Sequence, residues 1–257
     1  MKIIISPAKK MNIDTETYEV LQLPEHLERT LQIRNYMQSL SFSQAMKLWG
    51  CNEKIARLNF ERFREMELDR NLTAAIVSYE GIQYQYMAPN VFTEGALHYI
   101  QEHLRILSGF YGVLRPLDGV VPYRLEMQAK ATLDGAEDLY EFWGSRIYQS
   151  VLDEDRIILN LASKEYSRCV ERYLQPEDTF VTCVFGEWHN GKVIQKGTLA
   201  KMARGEMVRF LAEENVETLE GIKSFQGLGY RFHKKLSGER EYVFLKEHLD
   251  HRKNNEE

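Results

Sequence analysis

Residues 105–127, RILSGFYGVLRPLDGVVPYRLEM, form the stretch that decides how this chain folds. After a short apolar run, the stretch carries Gly109, Gly112, Pro116, Gly119 and Pro122. This density of glycine and proline excludes a continuing helix or a central strand. From Leu107 to Leu125 the same stretch holds ten apolar side chains, which a solvated linker would leave in water. We therefore expect a loop that is pinned across the core.

Five charged residues interrupt this otherwise apolar stretch: Arg105, Arg115, Asp118, Arg124 and Glu126. An arginine next to a backbone restricted by glycine or proline is held in one direction, which suits a fixed phosphate or carboxylate partner. In the alternative interpretation, Arg115 and Arg124 pair with Asp118 and Glu126 and only lock the loop, because structural ion pairs resemble sites. These residues alone leave both interpretations open.

The composition of the chain is that of an ordinary globular protein. Its 257 residues are 44% hydrophobic and 28% charged, which predicts one compact domain over residues 1–249 and a polar tail over 250–257. No run approaches the roughly 20 apolar residues of a membrane span. The apolar run after Met1 is too short for the segment of about 7–15 residues in a signal peptide. We expect a cytoplasmic protein that does not contact membranes.

Charge and metal-binding residue types narrow the classes of function further. The formal net charge is -5, which argues against a general nucleic-acid binder, although a local basic groove can exist in an acidic protein. The 3 cysteines are far apart in sequence and the 7 histidines are scattered. This pattern indicates neither a disulfide framework nor a metal motif, so we predict no metal and no cofactor.

Outward from the central stretch, short apolar strands alternate irregularly with helices. Strands are predicted at residues 2–6, 73–79 and 156–161, an extended segment at 80–89, and one continuous helix at 138–151. Asn190-Gly191 and Ser237-Gly238 each lie between apolar runs and predict hairpins. The order is that of an α/β protein, with a mixed sheet because hairpins are antiparallel.

A helical subregion is predicted at about residues 24–70. Its helices cover residues 24–40, 43–49 and 52–66, with Gly50 in a left-handed cap and Asn52 as the next N-cap. A helix, tight turn and helix can present backbone N–H groups to phosphate. The alternative is a plain helical hairpin, which is the more common use of this arrangement.

Residues 198–214 predict an amphipathic helix with a basic face. Lys201, Arg204 and Arg209 share that face, and Gly205 lies between them. A glycine inside a helix costs about 1 kcal/mol relative to alanine. We therefore expect another group to approach the basic face closely, the alternative being a solvated face without a partner.

Five stretches of the sequence, taken in order, resemble one known family. They are MKIIISPAKKM, LSGFYGVLRPLDGVVPYRLEM, LYEFWGSRI, ILNLASKEY and AKMARGEMVRF. Together they resemble the YaaA family of bacterial peroxide stress resistance proteins. The resemblance implies a single mixed α/β domain, a basic cleft, and DNA binding with a helix-hairpin-helix element, here at residues 43–66. It also implies a cytosolic role in limiting peroxide damage through control of free iron.

The residue patterns and the family resemblance indicate the same set of basic side chains. We expect them to line one groove and to contact the phosphates of double-stranded or structured DNA, which a monomer would recognise by shape rather than by sequence. The predicted DNA contacts are Lys9, Lys10, Arg57, Arg62, Arg115, Arg124, Lys201 and Arg204.

The competing hypothesis is an enzyme that acts on a small anionic molecule in the same cleft. Polar groups in loops at strand ends are where catalytic residues tend to collect. The residues proposed for such a pocket are Ser6, Asp118, Tyr123, Glu126, Asn160 and Ser163. No nucleophile and base are recognisable by their spacing, so no catalytic residue is assigned and the enzyme hypothesis ranks second.

Overall fold

A mixed sheet of eight strands runs through the middle of the computed structural model, which describes residues 1–247. The predicted tail at 250–257 lies outside the described residues. The strands are β1 (Lys2–Ile5), β2 (Lys10–Met11), β3 (Thr73–Ala74), β4 (Tyr79–Glu80), β5 (Leu104–Ser108), β6 (Gly112–Leu114), β7 (Gly119–Val120), β8 (Ile157–Leu161), β9 (Thr179–His189), β10 (Lys192–Ile194), β11 (Tyr230–Phe232) and β12 (Glu241–Lys246).

Eleven α-helices accompany this sheet within residues 1–247. They are α1 (Leu27–Ser39), α2 (Phe42–Trp49), α3 (Glu53–Arg64), α4 (Ala75–Ser78), α5 (Ile82–Met87), α6 (Glu94–His103), α7 (Leu139–Trp143), α8 (Arg146–Ser150), α9 (Lys164–Glu171), α10 (Gly197–Glu213) and α11 (Leu219–Ile222). The longest of them, α10, packs on α5 and α6. This confirms the predicted mixed α/β fold.

Strand β1 lies at the centre of the sheet because its side chains suit burial on both faces. The order is β11-β12-β9-β8-β1-β5-β6, with β10 paired to the far end of β9. Ile3, Ile4 and Ile5 are fully buried, as expected for a central strand of a parallel sheet. The strand is parallel to β5 and to β8, whereas β6, β10 and β11 are antiparallel to their neighbours.

The connections leave the central strands in opposite directions. From β1 the chain goes to β5 on one side, and from β8 it goes to β9 on the other. In open α/β sheets, such a reversal opens a crevice outside the carboxyl ends of the two strands. Here those ends are Ser6, after β1, and Ser163, after β8.

The central stretch is a strand first and a pinned loop afterwards. Residues 105–108 belong to the interior strand β5, so the exclusion of a central strand holds only from Gly109 onward. Trp143 Nε1 donates a hydrogen bond to the Gly109 carbonyl at 3.0 Å. A side-chain carbon at Gly109 would lie 2.7 Å from the Leu125 carbonyl oxygen, so the loop ends meet in close contact.

The helical subregion forms three helices, as predicted. Gly50 is left-handed at φ 54°, and the Asn52 side chain accepts a hydrogen bond from the backbone N–H of Ile55 at 3.0 Å. Trp49 stacks on Phe63, and Phe63 meets Phe110 of the central loop edge-on. The helix pair α2–α3 is therefore anchored to the same core as the sheet.

Three secondary-structure predictions were wrong. Residues 73–79 form β3, the short helix α4 and β4, because a short apolar run has no period that separates strand from buried helix. The backbone N–H of Ala75 binds the Asp118 carbonyl at 2.9 Å, so the central loop decides this conformation. Residues 82–87 are helical rather than extended, and the predicted helix at 138–151 is broken at Gly144, where φ is 54°.

The close neighbour expected at Gly205 is another part of the protein. A side-chain carbon at Gly205 would lie 2.1 Å from the backbone oxygen of Gln83 on α5 and 2.9 Å from the backbone nitrogen of Met87. The glycine therefore lets α5 and α10 cross at short distance, and it is buried rather than placed on a basic face.

Candidate functional site

A cleft of about 390 Å³ lies at the carboxyl ends of β1 and β8. The backbone N–H of Ser163 donates to Ser6 Oγ at 2.8 Å, and Ser6 Oγ donates to Ser163 Oγ at 3.2 Å. Tyr84 of α5 donates its hydroxyl hydrogen to the Ser6 carbonyl at 3.0 Å. These bonds join the two strand ends and α5, so the floor of the cleft is part of the sheet framework.

Most of the residues singled out in the sequence meet in this cleft. Of the predicted DNA contacts, the lining contains Lys9, Lys10, Arg124, Lys201 and Arg204. Of the predicted pocket residues, it contains Ser6, Tyr123, Glu126 and Ser163. They come from the β1 end, the central loop, the start of α9 and α10, which are far apart in sequence.

Two of the cations are paired across the cleft with one carboxylate. Glu126 Oε1 accepts a hydrogen bond from Arg124 Nη2 at 3.0 Å and lies 3.0 Å from Lys9 Nζ. Lys10 pairs with Glu80 at 2.6 Å. The loop-locking interpretation is thus correct for Arg124, and the pairing of Lys9 and Lys10 leaves Lys201 and Arg204 as the candidates for a ligand.

Lys201 and Arg204 have no such partner. Within residues 1–247, neither side chain makes a hydrogen bond or ion pair, and Arg204 Nε is buried. Burial lowers the pKa of the Arg204 guanidinium, which nevertheless stays protonated because the reference value for arginine is so high. A positive charge without a countercharge in a cleft favours an anionic ligand.

Sequence reasoning missed the aromatic and acidic part of the lining. Tyr84, Glu165 and Tyr166 face the same cleft as Arg204. Burial and the neighbouring Glu126 carboxylate raise the pKa of Glu165, whose Oε1 accepts the backbone N–H of Gln128 at 3.3 Å. The signal available was the position of Glu165 and Tyr166 in the first turn of α9, directly after Ser163.

Three predicted DNA contacts do not line the cleft. Arg57 is exposed on α3, where it pairs with Glu53 at 2.5 Å. Arg62 on the same helix is half-buried, and burial lowers the pKa of its guanidinium. Arg115 is exposed, and its backbone N–H donates to Asp118 Oδ2 at 2.8 Å.

Asp118 and Asn160 also lie outside the cleft and bind the protein itself. Besides the Arg115 N–H, Asp118 accepts a hydrogen bond from Gln22 Nε2 at 2.7 Å. Asn160 donates to Thr182 Oγ1 at 3.1 Å and accepts the backbone N–H of Ala162 at 2.9 Å. The first side chain fastens the central loop, and the second shapes the end of β8 that leads to Ser163.

A second cavity of about 720 Å³ adjoins the first and shares Lys9 and Glu126 with it. Its lining extends to the turn between α2 and α3, with Lys47, Trp49 and Gly50. Lys130 of the central loop completes it and, like Lys47, is exposed. The cleft is therefore continuous with a groove that reaches the helix pair α2–α3.

Two other classes of site were sought in the same residues. Within residues 1–247, no group of three or more His, Cys, Asp and Glu side chains is placed to hold a metal ion. None of the helices described there is both long enough and apolar enough to cross a membrane.

Comparison with known proteins places this geometry in context. Residues 1–236 match the sequence profile of the family described as "Peroxide stress protein YaaA". The chain is 53% identical over 244 residues to a UPF0246 protein of Agathobacter rectalis, covering 95% of this chain and 98% of that protein. It is 55% identical over 246 residues to a UPF0246 protein of Lachnoclostridium phytofermentans, covering 96% of each chain. A UPF0246 protein of Pediococcus pentosaceus is 51% identical over 249 residues, which cover 97% of this chain and 99% of that protein.

Proposed function

Since the chain belongs to the YaaA family of peroxide stress proteins, we propose that it binds cytoplasmic DNA and thereby limits oxidative DNA damage and intracellular free iron. The cleft and the adjoining groove together form the proposed contact surface. DNA would lie across the mouth of both cavities, with its phosphates against the exposed lysines. The family supports the role in peroxide stress, and the position of the basic residues supports the DNA contact.

The observation that carries this proposal is the convergence of cations in an acidic chain. The cleft is lined by five cationic side chains and three carboxylates, although the whole chain has a formal net charge of -5. Lys47 and Lys130 add two exposed cations along the adjoining groove. A local excess of positive charge of this kind attracts a polyanion irrespective of the net charge.

The same surface favours recognition of DNA shape over recognition of sequence. A lysine side chain is flexible and binds a phosphate as a point charge. Phosphate contacts position a protein on DNA but carry no information about the base sequence. The turn between α2 and α3 would present backbone N–H groups to a phosphate at the end of the groove. The helix-hairpin-helix role of residues 43–66 is therefore part of this proposal.

The test is a salt series of duplex-DNA titrations with the wild type and the Lys47→Ala/Lys130→Ala variant. Neither lysine makes an ion pair in the described residues, so the variant removes charge without breaking an internal contact. If both lysines contact phosphate, binding at low salt weakens by about tenfold or more. The slope of log K against log salt falls by about 2, since each phosphate contact contributes about 0.9.

The matched control is Lys234→Ala/Lys235→Ala, which removes the same charge from exposed lysines that line neither cavity. An equal loss of affinity in both variants would show that only the net charge matters. Duplex DNA that does not bind the wild type even at low salt would refute the proposal. Single-stranded and junction DNA in the same series rank the shapes that the groove accepts.

A further inference from the structure

Three residues that line the cleft each have a buried side-chain nitrogen without a hydrogen-bond acceptor in the described residues. The nitrogens are Gln83 Nε2, Arg124 Nε and Arg204 Nε. A buried donor without a partner is unfavourable by about 1–3 kcal/mol, so such groups are rare in proteins and call for an explanation. Three in one cleft point to an acceptor that the protein chain itself does not provide.

All the unpaired buried polar atoms of this cleft are donors. Elsewhere in the described residues, Asn59 and Asp153 each have a buried oxygen without a hydrogen bond, and Asp178 Oδ1 is paired with Arg156 at 2.6 Å. None of the three lines the cleft. Two of the three donors belong to guanidinium groups. Arg124 forms an ion pair with Glu126, which it shares with Lys9, whereas Arg204 has no carboxylate within ion-pair distance among residues 1–247. The missing acceptor therefore carries negative charge.

Gln83 and Arg204 are held together by the crossing of α5 and α10. The backbone oxygen of Gln83 lies against Gly205, so the residue next to Gly205 is brought to the same wall of the cleft. The crossing cannot open without losing this packing, so the donors are positioned before any ligand binds. Preorganised donors of this kind bind an oxyanion with little reorganisation.

Part of the cleft lining is apolar and aromatic. Tyr84, Tyr123 and Tyr166 line it together with Pro7, Ile82 and Leu125. Burial raises the pKa of the Tyr123 phenol to about 12, and its hydroxyl bonds Ser108 and Tyr79, so it stays neutral. The volume of the cleft, about 390 Å³, lies within the range of roughly 300–1,000 Å³ that is usual for small-molecule sites. Such a lining suits an organic body attached to the oxyanion.

We propose that this cleft is a binding site for a small organic oxyanion, a phosphate monoester or a carboxylate with a flat apolar body. The guanidinium of Arg204 and the amide of Gln83 bind the oxyanion, and the tyrosines contact the body. This site shares the cleft with the proposed DNA surface, but it uses Arg204 and Gln83 rather than the exposed lysines of the adjoining groove. It requires no DNA binding and would remain if the DNA proposal failed.

Calorimetric titration with defined probes tests the site. The probes are adenosine 5′-monophosphate, benzoate, inorganic phosphate and, as the neutral comparison, adenosine. We expect saturable binding of the nucleotide or of benzoate, at least about tenfold tighter than binding of adenosine. The rank of the two organic anions distinguishes a phosphate site from a carboxylate site. Competition by a short duplex shows whether a DNA phosphate can occupy the same position.

Two variants of α10 assign the binding to Arg204. Arg204→Met removes the charge while keeping most of the side-chain volume, and it should weaken binding of the anionic probe by about tenfold or more. Arg209→Met is the matched control, because Arg209 lies on the same helix and pairs with Glu213 outside the cleft. It should bind the probe as the wild type does, and so should Lys47→Ala/Lys130→Ala.

A melting curve shows that Arg204→Met is folded. Because the substitution removes an unpaired, largely buried charge, its melting temperature should rise by about 2 °C or more. Should it unfold instead, Gln83→Met replaces it as the test, and a folded Gln83→Met variant that binds the anionic probe as tightly as wild type then overturns the site. Wild-type protein that binds no anionic probe up to about 10 mM, or an Arg204→Met variant that binds as tightly as wild type, also overturns the site.

Discussion

At the scale of single residues, Asp118 shows how one buried carboxyl group holds the central loop. It accepts hydrogen bonds from Arg115 N and Gln22 Nε2 and is almost fully buried. Burial raises the pKa of Asp118 to about 6, although the two hydrogen bonds and two neighbouring arginines act in the opposite direction. The folded state therefore binds this proton more tightly than the unfolded chain.

The sign of the resulting pH dependence follows from this difference. An aspartate has a pKa of about 3.9 in the unfolded chain, so the stability that the bound proton contributes is lost as the pH rises from about 4 to about 6. Asp118→Asn removes that dependence. Relative to wild type, the variant should gain on the order of 2 kcal/mol in unfolding free energy between about pH 4 and about pH 7.5.

Urea unfolding of wild type and Asp118→Asn at several pH values measures this gain. Asp69→Asn, at an exposed aspartate, provides the comparison for loss of one negative charge at the surface. A constant difference between Asp118→Asn and wild type over the whole pH range would show that Asp118 ionises in the folded protein as it does in the unfolded chain.

Arg124 and Arg204 illustrate opposite uses of the same residue type. Arg124 forms an ion pair with Glu126 and holds the loop in place. Arg204 faces the same cleft with no partner in the described residues, which lowers stability and leaves its donors for a ligand. Both residues lie in stretches that resemble the same family, so only their surroundings separate the two roles.

At the scale of elements, the crossing of α5 and α10 depends on one glycine. A side-chain carbon at Gly205 would lie 2.1 Å from the Gln83 backbone oxygen. Because the clash is with the backbone, it can be relieved only if the two helices move apart. Gly205→Ala should therefore lower the unfolding free energy by about 2–3 kcal/mol, despite the better helix propensity of alanine. Chemical denaturation measures the loss.

Gly197→Ala is the matched control on the same helix. Gly197 is the first residue of α10, and a side-chain carbon there would meet nothing within 4 Å. The expected effect lies between no change and a gain of about 1 kcal/mol. Equal stability of the Gly205 and Gly197 variants would contradict the close crossing, on which the placement of Gln83 and Arg204 also depends.

At the scale of the whole molecule, the edge strands of the sheet help to determine whether two copies of the chain can pair. The outermost strands β6 and β11 are three residues long each, so they offer little backbone for pairing with a second copy. The exposed large apolar side chains of residues 1–247 are spread over several segments. They are Ile13, Leu21, Leu23, Leu58 and Val91, with Trp188 and Ile194 of the β9–β10 hairpin. We predict a monomer of 30.2 kDa by light scattering across a series of protein concentrations. A mass that rises toward twice this value would contradict it.

The sequence by itself determined the features that depend on near neighbours in the chain. The cap at Asn52, the left-handed Gly50 and the hairpin at Asn190-Gly191 arise from hydrogen bonds and backbone angles within a few residues. The mixed α/β class followed from the pattern of apolar runs. Where a run was short, as at residues 73–79, the pattern was ambiguous, and contacts with the distant loop at Pro116 and Asp118 decided the structure.

Only the tertiary structure decided which polar residues meet. The residue patterns and the family resemblance predicted Arg57, Arg115 and Arg204 alike as DNA contacts. Of these three, only Arg204, next to the crossing of α5 and α10 at Gly205, lines the cleft. Its Nε has no acceptor there, and the cleft also includes Glu165 and Tyr166 of α9, which had not been predicted as site residues. The physical reason is that hydrogen-bond pairing and charge balance depend on distances in space between segments far apart in the chain, and local sequence patterns do not specify those distances.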